Sequence, residues 1–297
     1  MRSEERAAPP VADRVAELTG RAVAALAPLG SSHAWELYRA ELADGTDAFV
    51  KALPDGTPDG EFGGLFATEA WGLEWLGGSF GSPVPEVLGA DERTLVLPWV
   101  SERPPTPEAA ERFGHQLAGM HAIPAEYFGA PRDGYIGPLP LDNTPRDSWP
   151  EFYAEQRLLP YLAQATDRGV LTPSDVRVIE RAIDAIGDLA GAPEPPARIH
   201  GDLWSGNVLW QDDGAVIVDP AAHGGHREAD LAMLALFGLP HLDRVRDGYN
   251  EAFPLAAGWR GRIALHQLHP LLVHACLFGA AYRIITLNAA QAVLREA

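Results

Sequence analysis

The segment ARIHGDLWSGNVLW, residues 197–210, places an acid and an amide in a short polar loop between two apolar runs. The acid is Asp202, the amide is Asn207, and Trp204 lies between them. Apolar runs on both sides of a short loop predict strands that fix its two ends. Such a loop can hold a base and a metal ligand in constant positions, which an ordinary surface loop has no need to do.

The spacing within this loop is typical of a phosphoryl-transfer site. Such an enzyme needs a carboxylate that orients the attacking hydroxyl and accepts its proton, and an oxygen ligand for Mg²⁺ close by. The catalytic loop of protein kinases has His-x-Asp followed by Asn five positions after the acid. His200, Asp202 and Asn207 stand in that frame, and Gly201 occupies the position of the kinase arginine.

A second acid, Asp219, follows a short apolar run over residues 215–218. That run predicts a buried strand, and the carboxylate at its end would return beside the loop. A divalent cation that bridges two phosphates needs such an oxygen ligand. Pro220 follows the acid where protein kinases have Phe-Gly, and the stiffness of proline predicts a less mobile site.

Lys51 is a charged residue in an otherwise apolar predicted strand, within DAFVKAL at residues 47–53. A lone lysine there requires an anion, which nucleotide phosphates would supply. Glu69, on a predicted helix over residues 65–78, would pair with it as the kinase Lys–Glu pair does. Taken alone, each residue has an ordinary interpretation, because an edge-strand lysine discourages aggregation and a glutamate commonly lies on a solvated helix face.

Two further segments complete the predicted nucleotide site. The turn with Gly30, Ser31 and Ser32 precedes the first predicted strand, and its N–H groups and hydroxyls are candidates for phosphate contacts. The connector LVLPWV contains Pro98 and Val100. Proline has no N–H, so we expect the first to accept a hydrogen bond from adenine and the second to donate one.

Periodicity predicts a small N-terminal unit that mixes helix and strand. Apolar spacing predicts a helix over residues 11–26 that ends before Gly30. Alternating runs predict β-hairpins around the Asp-Gly pair at 44–45 and over residues 84–100. The chain therefore begins with an α+β unit, which we assign to residues 1–100 as a nucleotide-binding lobe.

Helical patterns dominate after the proline-rich connector at residues 101–108. One helix is predicted over residues 147–169, interrupted or started by Pro150 and bent near Pro160, and another is capped by Thr172 with proline at its first position. A long apolar helix is predicted over residues 259–294. Residues 101–297 are accordingly assigned to a larger helical lobe that carries catalysis and the substrate.

The composition excludes some partners. The formal net charge is −18, from 41 acidic and 23 basic residues. Such a surface repels nucleic acids and anionic membranes, and it suits an amine-bearing substrate, although solubility explains it equally well. The single cysteine, Cys276, excludes an intrachain disulfide and a cysteine zinc site.

Targeting signals are not expected. The N-terminal residues MRSEERAAPP lack an apolar core, and we find no uncharged apolar run of about 18 residues, which predicts neither a secretory signal nor a membrane span. We therefore expect a cytoplasmic protein. His223 and His226 lie three residues apart near Asp219, but no further ligands follow at a suitable spacing, so zinc chemistry is not expected.

These motifs resemble those of the fructosamine kinase, or ketosamine-3-kinase, family. The resemblance runs from about residue 20 to the C-terminus, and its most specific part is HGDLWSGN. The other segments that carry it are FVKAL, NTPRDSWPEFYAEQRLLP and DPAAHGGHREADLAML. The family belongs to the aminoglycoside-phosphotransferase-like group of the protein-kinase-like fold, so the resemblance implies a two-lobed α+β architecture.

The resemblance also implies an activity and roles for residues. The activity is ATP- and Mg²⁺-dependent phosphorylation of O3 of a ketoamine, on a small amine or a glycated lysine, after which the phosphate leaves and the amine is freed. The roles are the catalytic base for Asp202, metal ligands for Asn207 and Asp219, and phosphate positioning for Lys51 with Glu69. Arg227 and Glu228 would open a helix beside the site, as candidates for substrate contacts, while Asp230 would brace the catalytic loop. Trp204 has two interpretations, a ring that stacks on the sugar or a ring that packs the loop.

Two other functions stay open at this point. A phosphotransferase for an aminoglycoside or an amino alcohol would use the same fold and the same motifs. A catalytically silent nucleotide-binding protein is favoured by the glycine-poor turn at Gly30, but the intact residues Lys51, Glu69, Asp202 and Asp219 argue against it. The oligomeric state cannot be read from the sequence.

Overall fold

A computed structural model describes residues 10–58, 60–78 and 81–297, in which an antiparallel sheet precedes a mostly helical region. The strands are β1 Val23–Ser32, β2 Trp35–Leu42, β3 Asp47–Ala52, β4 Gly89–Ala90, β5 Thr94–Pro98, β6 Gly134–Ile136, β7 Leu139–Leu141, β8 Ala197–Ile199, β9 Val208–Gln211, β10 Gly214–Ile217 and β11 His223–Gly225. The α-helices are α1 Val11–Thr19, α2 Leu65–Leu76, α3 Pro107–His121, α4 Trp149–Phe152, α5 Leu159–Asp167, α6 Pro173–Asp184, α7 Ile186–Leu189, α8 Glu228–Leu236, α9 Leu242–Ala252, α10 Trp259–Phe278 and α11 Arg283–Glu296. A π-helical segment, Tyr153–Leu158, joins α4 to α5, and 3-10 turns occur at Ser205–Asn207 and Gly279–Tyr282.

The N-terminal sheet has five antiparallel strands in the order β1-β2-β3-β5-β4. Successive residues of a strand point to opposite faces, so the sheet buries an apolar surface on each side. One face packs on α1, and Val50 of the sheet shares an apolar cluster with Val15 of that helix. The other face packs on α2, and Leu97 of the sheet shares a cluster with Phe66 of that helix. Lys51 follows Val50 in β3 and therefore lies on the face that meets α2.

The predicted helix over residues 11–26 is wrong beyond Thr19. Gly20 adopts φ 67° and ends α1, and the chain from Val23 continues as β1. β1 pairs with β2 over the length of both strands. Those interstrand hydrogen bonds override the local helical spacing, as tertiary context commonly does.

The two predicted hairpins and the helix between them are present. The Asp44-Gly45 pair lies in the turn between β2 and β3, and β4 and β5 form the second hairpin, although β4 has only two residues. α2 begins at Leu65, as its apolar spacing predicts. These elements combine with the helical remainder to confirm the predicted α+β class.

The helical region includes α9, which the sequence pattern does not reveal because most of its residues are polar. α9 crosses α3 at very short range. A Cβ at Gly114 would lie 2.1 Å from the Val245 carbonyl oxygen, and one at Gly248 would lie 2.3 Å from the Glu111 carbonyl oxygen. Two glycines therefore let the helix backbones approach closely, and Phe113 of α3 and Tyr249 of α9 are buried in the same apolar cluster.

Two of the predicted long helices are divided. The one over residues 147–169 starts at Trp149 with Pro150 in its first turn, where its missing N–H breaks no helical hydrogen bond. It continues through the π-helical segment into α5, near Pro160, which lacks the N–H that a regular helix needs. The one over residues 259–294 is interrupted at Gly279, which adopts φ 72°. α6 begins as predicted, with a capping box between Thr172 and Asp175.

The segment Trp259–Glu296 is long and apolar enough to cross a membrane, by length and composition. In the fold, α10 contributes Leu265, Leu268 and Leu272 to the helical core, together with residues of α5 and α6. Packing inside a protein core explains the apolar composition of such a helix.

Candidate active site

The catalytic loop, residues 200–207, runs between two short two-stranded sheets. β8 precedes it and pairs with β11, and β9 follows it and pairs with β10. The apolar runs that flank the loop in sequence are therefore strands, as predicted. Asp219 follows β10 at the next residue but one, which returns its carboxylate to the loop.

Gly201 has a steric reason to replace the kinase arginine. It adopts φ 81°, a conformation that L side chains rarely take, and a Cβ there would lie 2.3 Å from the Ala221 carbonyl oxygen. The loop therefore passes so close to the segment after Asp219 that only glycine fits. The absence of a side chain at Gly201 therefore allows the two acid-bearing segments to lie close together.

Asp230 on α8 fastens the start of the loop. Its carboxylate accepts hydrogen bonds from the backbone N–H groups of His200 at 2.7 Å and Gly201 at 2.9 Å, and the His121 ring lies 3.0 Å away. Burial alone would raise the pKa of Asp230, but the hydrogen bonds and the nearby imidazoles outweigh it, so the pKa is lowered. A stable carboxylate thus braces the loop, as the family resemblance implies.

The His200 side chain has a structural role at the start of the loop. Its Nε2 lies 2.9 Å from the Val218 carbonyl oxygen, and Nδ1 is 3.3 Å from the Asp202 N–H. The ring therefore ties the loop to the strand end that carries Asp219.

Asp202 lines a cavity of about 150 Å³ between the sheet and the helical region, which we name the catalytic cavity. Burial raises the pKa of Asp202 to about 7, and the carboxylates of Asp219 and Asp230 add to the rise, while the hydrogen bond with Asn207 opposes it. A carboxyl group with a pKa near neutrality can take up a proton at physiological pH, which suits a general base.

Asn207 and Asp219 lie together and line the same two cavities. The Asn207 amide nitrogen donates to the Asp202 carbonyl oxygen at 2.8 Å, which places the amide oxygen on the other side of the group. Asp219 adopts φ 60°, an uncommon conformation for a non-glycine residue that is typical of functional sites. Carboxylate and amide oxygens form the donor set that Mg²⁺ prefers.

Lys51 connects the sheet to the loop. Its Nζ lies 2.8 Å from Glu69 Oε1 and 2.5 Å from Asp219 Oδ1, and the side chain is only 3% exposed. Burial alone would lower the pKa of Lys51, but the two carboxylates outweigh it and raise the pKa. Burial raises the pKa of Glu69 to about 7 against the effect of Lys51. The lysine is therefore a permanent cation that faces the cavity.

The sequence contains a stronger indication of a functional role for Lys51 than its position in a strand. It is the only lysine in the chain, whereas the other 22 of the 23 basic residues are arginines. An arginine guanidinium is planar and bulkier than an ammonium group. A single retained lysine therefore indicates a site that requires a compact point charge.

A second cavity of about 260 Å³, which we name the connector cavity, adjoins the first and shares Asn207 and Asp219 with it. Pro98 and Val100 line it, as does Phe49 from β3. The predicted adenine contacts therefore lie beside the predicted metal ligands. A mostly apolar slot next to backbone polar groups has the character of a purine site.

The predicted phosphate turn with Gly30 is wrong in position. Gly30, Ser31 and Ser32 belong to β1, and the turn that follows is formed by His33, at φ 53°, and Ala34. Among the three, only Ser32 lines either cavity in the described part of the chain. The prediction failed because the sequence pattern placed the first strand after Gly30. In the structure β1 comes first and contains Gly30, and the turn follows it.

His33 was missed by sequence reasoning. It lines the catalytic cavity from the β1–β2 turn, and a Cβ at Gly137 would lie 3.2 Å from its Nε2. Burial lowers the pKa of His33, although Asp219 opposes the change. If the β1–β2 hairpin had been predicted from the sequence, His33 would have been identified as a candidate, because phosphate contacts occur at hairpin turns that lie over a nucleotide.

Tyr135 and Asn143 were also missed. Both line the catalytic cavity from the region of the β6–β7 hairpin, and the Tyr135 hydroxyl donates to the Gly63 carbonyl oxygen at 3.0 Å. Asn143 is held by Arg157 of the π-helical segment, whose Nη2 lies 2.5 Å from its Oδ1. These residues have no motif spacing relative to the loop, so only the tertiary structure brings them to the site.

Arg227 and Glu228, predicted on the substrate side, do not line the catalytic cavity. Arg227 donates to both carboxylate oxygens of Glu194 at 2.7 and 2.8 Å. Glu228 is 3% exposed and receives Arg262 at 2.8 and 2.6 Å. They are structural ion pairs at the start of α8, and the prediction of substrate contacts is corrected.

The structure brings together one group of possible metal ligands near the start of α8. His226, Glu228 and His266 bring ligand atoms within 4.8 Å of one another, so the third candidate ligand comes from a distant helix that spacing could not reveal. Both carboxylate oxygens of Glu228 are engaged by Arg262, whose positive charge opposes a second cation. The cluster is therefore explained as a buried ion pair between Glu228 and Arg262 with two imidazole rings beside it.

Trp204 lines the catalytic cavity and is 38% exposed. A Cβ at Gly206 would lie 2.3 Å from the Trp204 ring, so glycine allows the ring to fold back over the loop. The far side of the ring meets Phe237 edge-on, with centroids 6.0 Å apart. Its orientation is therefore fixed, and the exposed part of the side chain borders the catalytic cavity.

Comparisons with known proteins agree with this geometry. The profile of the fructosamine kinase family matches residues 14–296. A probable ketoamine kinase of Escherichia coli strain K12 is 35% identical over 264 residues, which cover 87% of this chain and 88% of that protein. The crystal structure of a putative fructosamine-3-kinase from Thermobifida fusca is 73% identical with a TM-score of 0.94, over 96% of this chain and 98% of that one.

A more distant structure shares the fold alone. Macrolide 2'-phosphotransferase of Brachybacterium faecium is 16% identical with a TM-score of 0.62, over 94% of this chain and 96% of that one. The architecture is thus the aminoglycoside-phosphotransferase-like, protein-kinase-like fold. With a matching family profile over nearly its whole length, this chain belongs to the fructosamine kinase family.

Proposed function

We propose that this protein is an ATP-dependent kinase that phosphorylates O3 of a ketoamine, such as a fructosamine or ribulosamine, and so promotes deglycation of the amine. The observation that carries the proposal is the arrangement of Lys51, Glu69, Asp202, Asn207 and Asp219 around one cavity. Each has the charge and donor type that phosphoryl transfer to a hydroxyl requires. Loss of the phosphate from C3 would then free the amine.

ATP and Mg²⁺ fit the residues present. We assign Asn207 and Asp219 as the metal ligands, Lys51 with Glu69 as the phosphate-positioning pair, and Ser32 as a hydroxyl near the phosphates. Mg²⁺ would supply neutralisation of the charge on the transferred phosphoryl group. The apolar connector cavity, with Pro98 and Val100, is the proposed adenine site.

Each residue around the cavity is proposed to have a separate role in phosphoryl transfer. Lys51 orients the phosphates and keeps its charge, because its pKa is raised. Asp202 holds the acceptor hydroxyl and takes its proton. Asp230 and Gly201 keep the Asp202 loop in place, so that the base is positioned before the substrate arrives.

The substrate is proposed to enter beside Trp204, whose exposed part would contact the sugar or its amine. We propose that the chain up to residue 100 binds the nucleotide and that residues 101–297 supply catalysis and the substrate site. The enzyme is proposed to act in the cytoplasm, where the single thiol of Cys276 stays reduced. Ketoamines of free amino acids and glycated lysines are both candidate substrates.

The test is ADP release from a panel of acceptors that contains fructosyl and ribulosyl amines, an aminoglycoside and choline. We expect turnover of the ketoamines and its loss in Asp202→Asn. Turnover of the aminoglycoside or choline alone would assign the protein to the second candidate function. ATP binding without turnover of any acceptor would favour a silent nucleotide-binding protein, against which the five retained residues argue.

A further inference from the structure

Four aromatic side chains outside the catalytic cavity form one continuous group, which we name the aromatic strip. Its members are Phe237 after α8, His274 and Phe278 on α10, and Tyr282 at the end of the 3-10 turn. Ring centroids are 4.9 Å apart for Phe237 and His274 and 5.7 Å apart for Phe278 and Tyr282. His274 contacts Tyr282 at 4.9 Å, which closes the group.

The strip continues the wall of the catalytic cavity. Trp204 lines that cavity on one side and packs against Phe237 on the other, with centroids 6.0 Å apart. A path over aromatic rings therefore leads outward from the residue two positions after the catalytic Asp202. The outer end is open, because Phe278 is 55% exposed.

The outer end of the strip lies where α10 ends. Gly279 adopts φ 72° and stops α10, and the 3-10 turn Gly279–Tyr282 follows. His274, Phe278 and Tyr282 are spaced four residues apart, and this spacing places their rings on one side of the helical segment.

The strip presents neutral groups. The His274 Nδ1 donates to the Pro270 carbonyl oxygen at 2.7 Å, and burial lowers the pKa of this ring, so it is uncharged at neutral pH. The guanidinium of Arg283, next in the chain, is engaged by Asp175 at 2.7 Å. Neutral aromatic rings that are partly exposed favour aromatic and apolar ligands.

We propose that the aromatic strip is the subsite for the amine side of the ketoamine, and that it selects substrates whose amine carries an aromatic or apolar group. The proposal rests on the proposed function, because the amine side is defined relative to a sugar hydroxyl at Asp202. O3 and the amine-bearing C1 belong to the same short carbon chain, so the amine substituent leaves the cavity close to Trp204. The surface that continues beyond Trp204 is the strip.

The experiment compares two ketoamines with the same sugar, fructosyl-benzylamine and fructosyl-glycine. KM and kcat are measured for the wild type, Phe278→Ala, Phe278→Trp and the control Leu159→Ala. Leu159 is also an exposed apolar side chain, at 44%, and it lies outside the strip on α5. Phe278 is exposed, so its substitution leaves the folded core intact.

We expect a lower KM for fructosyl-benzylamine than for fructosyl-glycine in the wild type. Phe278→Ala should raise the benzylamine KM about fivefold, since one aromatic contact contributes in that range, with kcat unchanged. The glycine KM should not change, Phe278→Trp should restore the wild-type value, and Leu159→Ala should have no effect.

Equal KM values for the two ketoamines, or an equal effect of Phe278→Ala on both, would overturn the proposal while the proposed function stands. If neither ketoamine is turned over, the proposed function itself fails. Light scattering supplies a separate check, because Ile284 and Ile285 are exposed nearby. A stable dimer that dissociates in Phe278→Ala would assign the strip to self-association and overturn the substrate role.

Discussion

Lys51 and Asp219 are 168 residues apart in the chain, yet the lysine Nζ lies 2.5 Å from the aspartate Oδ1. The contact joins β3 of the sheet to the segment after β10, so it spans the cleft between the two parts of the fold. Both residues face the catalytic cavity, and Glu69 completes the cluster from α2. The arrangement places a fixed cation beside a proposed metal ligand, where a triphosphate needs both.

Labelling of Lys51 should report nucleotide binding directly. An acyl-phosphate derivative of ATP carries a reactive acyl group beside the phosphates, and Lys51 is the only lysine that can receive it. We expect acylation at Lys51, measured by peptide mass spectrometry, and its loss in excess Mg²⁺–ATP. The N-terminal amine is the internal control, and labelling there alone would contradict the phosphate-positioning role.

The rate should depend on pH through Asp202. A carboxyl group must lose its proton before it can act as a base, and the pKa of Asp202 is raised to about 7. We therefore expect kcat/KM to rise with pH through neutrality and to level off above it. Asp202→Asn should lower kcat by about 10² to 10⁴, the usual contribution of a positioned base.

The same profile distinguishes Asp202 from Glu69, whose pKa is also raised to about 7. In Asp202→Asn the rising limb should disappear from the residual activity. A limb that persists there and is lost in Glu69→Gln would assign the titration to the lysine partner instead.

Gly201→Ala should disrupt the catalytic loop, and Gly20→Ala provides a matched control. Both glycines have positive φ, but a Cβ meets the Ala221 carbonyl oxygen at 2.3 Å only in the first, and nothing lies within 4 Å in the second. We expect each substitution to cost about 1 kcal/mol of unfolding free energy from backbone strain, with a further loss for Gly201→Ala. Only Gly201→Ala should lower kcat, and equal kinetics for the two variants would show that the close approach is dispensable.

Glu228→Gln should lower stability without changing KM for ATP or ketoamine. Glu228 is buried and paired with Arg262, and breaking one side of a buried ion pair costs about 3–5 kcal/mol. The control is Glu155→Gln, because Glu155 is paired with Arg146 at the surface, where such pairs contribute at most about 1 kcal/mol. Denaturant unfolding measures both, and a KM effect of Glu228→Gln would restore it to the substrate side.

Local spacing was sufficient for the loop and its neighbours. His200, Asp202 and Asn207 share one loop, and Asp219 follows a strand that hydrogen bonds with the strand after that loop, so their proximity is built into a short segment of chain. The capping box at Thr172 and the hairpin at Asp44 follow equally from local residue chemistry. Such features depend on neighbours in sequence, which is why they can be predicted without a fold.

Spacing failed where distant segments decide the outcome. β1 forms because β2 is available as a partner, and this moved the turn from Gly30 to His33 and brought His33 to the cavity. Arg227 is buried in an ion pair with Glu194, and Glu228 is buried in an ion pair with Arg262. A buried charge requires a partner of opposite charge, and which partner lies nearby depends on the whole fold.

The amino-acid sequence by itself determined the chemistry available to this protein: the carboxylates of Asp202 and Asp219, the amide of Asn207 and one lysine at kinase spacing, within an α+β chain. Tertiary structure alone decided which groups face the cavity, because Lys51 meets Asp219 and Trp204 meets the aromatic strip across contacts between separate elements. Those contacts form when apolar surfaces of the sheet and helices are buried together, an effect that local sequence spacing does not encode.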